Sequence, residues 1–241
     1  MRANKDLIAP TTTEFIVLII IPVVVIALIP LVISLAQRRD KQIKDLSNAR
    51  QIAVALKNFA TDHDGEFPNK QPAADYERAG ALTISNKSND AFWWLFPTYL
   101  ESEDIFAVAG SAWSPRPADN MLDPEGSGRR LNTLRQGECA YLYVSGLNET
   151  SDPKFPLLAD AGRAENITVY RRSRRTKGGI WRGKRAIILF VDGSGGIMDV
   201  DDQTDSNSSF VKRPGYPYNI FDNSAADHGW LTSANLVLPP D

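Results

Sequence analysis

Along the chain the spacing of hydrophobic positions takes three forms in turn. From Phe15 to Ala36 they are continuous, and FIVLIIIPVVVIALIPLVISLA carries no charge. A helix over those residues reaches ~33 Å, against ~30 Å of bilayer hydrocarbon. The run predicts a transmembrane helix over 14–36, opened by Glu14 and followed by Gln37-Arg38-Arg39. No small-residue cleavage site follows it, so an uncleaved anchor is expected in place of a signal peptide. Pro22 and Pro30 lie inside the run. Each removes a helix hydrogen bond, which a bilayer helix accommodates where neighbouring helices or local adjustments satisfy the freed carbonyls.

From Gln37 to Thr61 there is no Gly and no Pro, and the apolar spacing becomes three and four: Ile43, Leu46, Ala49, Ile52, Ala53, Leu56, Phe59. Lys41, Lys44, Asp45, Arg50 and Lys57 fall on the other faces. The helix therefore continues as an amphipathic segment over 37–61, and Ile43, Leu46, Ile52, Leu56 and Phe59 form the stripe expected to seat a globular domain. Asp62-His63-Asp64-Gly65 stops it.

Beyond that point the runs are short and strand-like. Ala140–Val144 and Ala186–Val191 read as strands, with weaker candidates at Pro156–Ala159 and Ile167–Tyr170. Asp192-Gly-Ser-Gly-Gly196 followed by Ile197–Val200 predicts a hairpin. Ala91–Glu103 is a short aromatic element, and Ser111–Arg130 a long loop. The expected fold class is α+β: a long N-terminal helix, half transmembrane and half amphipathic, on a small antiparallel β-sheet domain. The segments are 1–13, a short charged leader-like stretch; 14–36, the membrane helix; 37–61, its amphipathic continuation; and 62–241, the domain.

Composition changes this picture little. The chain is 43% hydrophobic and 23% charged, and 27 basic residues against 29 acidic leave −2, which argues against binding nucleic acid through bulk charge. One cysteine, Cys139, excludes a disulfide scaffold. His63 and His228 are the only histidines and supply no zinc set. No nucleophile elbow, phosphate loop or HExxH is present, so no enzyme is expected.

The architecture and two local stretches carry a resemblance. NARQIAVALKNFATDHDGEFP (Asn48–Pro68) and AIILFVDGSGGIMDV (Ala186–Val200) resemble the helix-to-domain junction and closing hairpin of type IV pilins and type II secretion pseudopilins of the planctomycete and verrucomicrobial kind. The family's leader, glutamate and late proline have counterparts in Arg2–Ala9, Glu14 and Pro30, although Ala9-Pro10 stands where the family has Gly-Phe. The resemblance implies a pilin-like subunit in the cytoplasmic membrane, its domain in the periplasm or outside, in a filament or secretion assembly. Its partners would be the lipid bilayer, copies of itself or related subunits, and assembly machinery. The implied orientation opposes a positive-inside count of Arg38, Arg39, Lys41 and Lys44 against Arg2 and Lys5. In the family, the glutamate matching Glu14 neutralises a neighbouring subunit's amino group, so Glu14, Pro22 and Pro30 are the candidate subunit contacts in the membrane.

Two clusters stay open to more than one reading. Arg171, Arg172, Arg174, Arg175, Lys177, Arg182, Lys184 and Arg185 form a basic stretch that suits a partner subunit, simple solvation or, less well, nucleic acid. Asp199, Asp201, Asp202 and Asp205 offer calcium several oxygens but lack the glycine and closing Glu of a regular loop. The alternative there is a solvated acidic loop, with no cofactor. As a whole, the chain reads as a pilin-like structural subunit, as an anchored binding protein for sugar or DNA that does not polymerise, or as a signal-anchored hydrolase.

Overall fold

The computed structural model describes residues 12–72, 84–201, 209–224 and 230–241. Helix α1 spans Thr12–Asp62 and runs through Pro22 and Pro30. It ends where the sequence places its stop signal. Asp64 and Gly65 take positive φ (53° and 83°), and the Gly65 N–H returns to the Ala60 carbonyl at 2.8 Å. That left-handed closure satisfies a carbonyl the last turn would leave open.

By its contacts the chain divides after Ile43 into Met1–Ile43 and Lys44–Asp241. The last turns of α1 thus belong to the globular unit, whose core includes Ala49, Ile52, Ala53, Leu56, Phe59 and Ala60. In that unit α1 is followed by a short helix α2 (Ser88–Trp93), a 3-10 turn at Asp104–Phe106 and five strands: β1 Tyr141–Val144, β2 Pro156–Asp160, β3 Arg185–Phe190, β4 Gly195–Asp199 and β5 Val237–Leu238. The sheet order is β4-β3-β2-β1-β5, with every pairing antiparallel. The fold is α+β.

The central strands β1 and β2 are buried at every residue, so both faces of the sheet centre are covered. α1 is tied to this layer by polar contacts as well as by its apolar face. The Tyr141 hydroxyl donates to the Asp45 carbonyl, and Lys57 Nζ to the Asp192 carbonyl at 2.8 Å. Arg50 Nη2 donates to Gly195 O in the β3–β4 hairpin at 3.3 Å.

Three sequence expectations are corrected. Ile167–Tyr170 is not a strand: the Ile167 and Val169 carbonyls accept from Gly162 and Arg163, and the Asn166 side chain closes a turn on Thr168. The second correction is β5, which no pattern announced, because two residues are too few for a period to show. The third is Ile43, expected on the seating stripe but 62% exposed. At about 100° per residue, Ile43 lies about half a turn around the helix from Ile52.

Candidate functional site

The first unit offers one feature with functional weight. Over 20–35 the described side chains of α1 are exposed apart from the half-buried Ser34, and most are branched and apolar, with Ile26 65% and Val32 62% accessible. This is a helix long and apolar enough to cross a membrane. Bare apolar surface on every face of a helix costs free energy in water and none in hydrocarbon. Pro22 and Pro30 are exposed along this stretch. The Glu14 side chain lies outside the described residues.

In the globular unit, Ile52 and Leu56 are fully buried and Phe59 nearly so, while Leu46 is partly buried against the core. Phe59 stacks on His63 at 3.8 Å and meets Tyr99 edge-on at 5.8 Å. His63 Nδ1 lies 2.7 Å from the Phe59 carbonyl, and the Tyr99 hydroxyl donates to Asp62 at 2.8 Å. Of the aromatic stretch, Phe92 is fully buried, and Trp94, Phe96 and Tyr99 pack partly buried against the same core. His228 lies outside the described residues.

The basic stretch is a turn-rich segment before β3, and its charges differ in situation. Arg171 pairs with Glu165 at 3.0 Å, and Arg185 with Asp199 at 3.7 Å. Lys177 is drawn inward, its Nζ 3.6 Å from the centre of the Trp113 ring, and burial pulls its ammonium below the ordinary range. Arg172, Arg175, Arg182 and Lys184 are exposed and Arg174 is half-buried. The bend that presents them depends on glycine. A Cβ on Gly179 would stand 1.7 Å from the Ser173 carbonyl oxygen.

In the acidic loop, Asp199 has the Arg185 contact just given, and Asp201 pairs with Lys212. Asp202 and Asp205 lie outside the described residues.

One cluster was not visible in the sequence. Glu103, Asp119 and Glu138 bring carboxylate oxygens within 4.8 Å of one another. Glu103 precedes the 3-10 turn, Asp119 sits in the long loop and Glu138 comes just before β1. Separations of 16 and 19 residues match no ligand motif, and only the fold brings them together. The lone thiol is shut away from solvent: Cys139 is wholly buried, its Sγ donates to the Tyr141 carbonyl at 3.6 Å, and burial pushes it up to about 12. An unreactive thiol of this kind is a small core residue.

Compared with family models, curated proteins and solved structures, the chain matches none.

Proposed function

We propose that the protein is a membrane-anchored, pilin-like structural subunit of a type IV pilus or type II secretion-like filament, with residues 62–241 outside the cytoplasm. The observation that carries this reading is the single helix Thr12–Asp62. Its N-terminal part exposes bulky apolar side chains all round, and its last turns bury one face in an antiparallel α+β domain. A tether needs only the first property. A subunit that must couple its place in a helical bundle to its domain needs both in one continuous helix. The pilin-like stretches at Asn48–Pro68 and Ala186–Val200 fall at the end of that helix and across the β3–β4 hairpin it touches.

Packing between copies would be of a particular kind. Within 15–36 only Ala27, Ser34 and Ala36 are small, so close small-residue packing is excluded and branched side chains must interlock. Single cysteines at Val24 and Val32, both at least half exposed, report this when introduced in a Cys139→Ser background. Crosslinks between copies above those of a monomeric anchor at equal expression are the expected result, and Pro30→Leu should reduce them. Crosslinks no more frequent than those of the anchor would replace the polymer with a tethered binding domain. Protease added to spheroplasts should remove residues 62–241, and protection until lysis would reverse the orientation.

A further inference from the structure

The three-carboxylate cluster in the globular unit has an unused ligand atom. Glu103 is fully buried, and its Oε1 accepts the Leu134 N–H, while Oε2 has no hydrogen-bond partner. The other two carboxylates are held from behind. Glu138, 3% exposed, accepts the Arg135 N–H at 2.6 Å through Oε2. Asp119 accepts the Met121 N–H through Oδ1 and Arg135 Nη1 through Oδ2, each at 2.9 Å. Asn120 fixes the Glu103 backbone by accepting its N–H at 2.8 Å. Each carboxylate is thus oriented by a backbone donor of its own.

An unpartnered buried carboxylate oxygen costs several kcal/mol unless something neutralises it. The Arg135 guanidinium is paired with the outermost acid, Asp119, whose side chain is 33% exposed. Burial first, and then the Glu138 and Asp119 charges, push Glu103 up to about 7 against the pull of the Leu134 and Asn120 contacts. Arg135 and Arg116 pull on Glu138, but Glu103 Oε2 is left with no hydrogen-bond partner. The three oxygens are close enough to share one cation, since oxygens bound at about 2.4 Å stand no more than about 4.8 Å apart, and an irregular set drawn from three segments suits calcium's flexible coordination better than magnesium's strict octahedron.

We infer that Glu103, Asp119 and Glu138 bind a divalent cation of calcium's size, entered from the Asp119 side and completed by water, which staples the 3-10 turn and the long loop to the start of β1. The site uses none of the aspartates of the Asp199–Asp205 stretch and does not depend on the filament reading. Three protein carboxylates with water and no closed loop place its affinity with weak extracellular calcium modules, at about 0.1–1 mM.

The test uses the full chain in detergent micelles, stripped with chelator. Equilibrium dialysis should show one calcium per chain, and calcium should raise the melting temperature where equal magnesium does so less. Asp119→Asn, at the exposed mouth, should keep the chelated protein's melting temperature and weaken calcium binding by roughly 10-fold or more. Glu138→Gln should do at least the same, and Asp201→Asn should leave binding unchanged. The inference is overturned by any of three results: no saturable calcium, binding lost in Asp201→Asn but kept in Asp119→Asn, or a melting temperature that follows proton concentration alone. The last would mean that Glu103 and its neighbours share a proton in place of a metal.

Discussion

The Tyr141 hydroxyl donates to the main-chain carbonyl of Asp45 across 3.1 Å, joining the first residue of β1 to the first buried residue of α1 in the globular unit. Tyr141 is wholly buried, so this phenol has no water to turn to. The carbonyl also accepts the N–H four residues on, as any helical carbonyl does. Tyr141→Phe therefore removes a donor without orphaning an acceptor. The expected loss is about 0.5–1.5 kcal/mol, read as a lower denaturant midpoint at unchanged slope. A loss of about 3 kcal/mol or more would mean that the hydroxyl organises more of the helix seat than this one bond.

The seat itself separates two leucine-like positions that sequence spacing treated alike. Leu56 is fully buried and Ile43 is 62% exposed. Leu56→Asp buries an unpaired charge and should cost several kcal/mol, enough to unfold a marginal domain. Ile43→Asp should change stability by no more than about 0.5 kcal/mol. Equal effects on thermal unfolding would show that the buried face has been placed wrongly.

The contrast marks what the sequence could carry. α1 was legible nearly to its ends, expected from about 14 to 61 and found at Thr12–Asp62, because an apolar run and a three-four period need no tertiary information. Strands β1 to β4 were legible for the same reason. Ile43 was not, because apolar character says that a residue can be buried, while the domain selects the face. Ile167–Tyr170 alternated like a strand, but its carbonyls are taken by Gly162 and Arg163. The Glu103–Asp119–Glu138 cluster was invisible because its members share no element and no spacing.

The β3–β4 hairpin provides a prediction about two adjacent glycines. Gly195 has φ 139°, and a Cβ there would stand 2.2 Å from the Ile188 carbonyl oxygen, while a Cβ on Gly196 meets nothing within 4 Å. Gly195→Ala must displace main chain in a buried strand and should cost about 1–3 kcal/mol. Gly196→Ala should be neutral or slightly stabilising, since it restricts the unfolded chain at no steric cost. Similar midpoints for the two variants would mean that the hairpin adopts another turn.

Two buried aspartates give pH dependences of opposite sign. Asp160, wholly buried at the end of β2, accepts the Ile187 N–H at 2.6 Å through Oδ1, and its Oδ2 has no partner. Burial, helped by the Asp45 charge, raises it to about 8 against the pull of its backbone donors; the buried phenols of Tyr141 and Tyr170 are its other titratable neighbours. The folded chain then holds a proton that the unfolded chain releases near pH 4. The stability this contributes is complete below about pH 4 and is lost as pH rises toward 8, at up to about 1.4 kcal/mol per pH unit. Asp123 behaves the other way. Burial works to raise it, but N–H groups of Leu131, Asn132 and Thr133 and the Trp93 indole outweigh that and hold it below the ordinary carboxylate range. Its contribution is present above about pH 4 and is lost as pH falls through its folded value. Asp160→Asn keeps an oxygen for Ile187 and takes up no proton. In chelator, where Glu103 still adds a slope of the same sign as Asp160, the variant should lose less stability than wild type between about pH 5 and pH 8. Asp123→Asn should instead lower stability at neutral pH and lose less on acidification. An Asp160→Asn profile parallel to wild type across that range would show that Asp160 is ionised in the folded protein, and that the buried end of β2 is solvated or paired in a way its hydrogen bonds do not reveal.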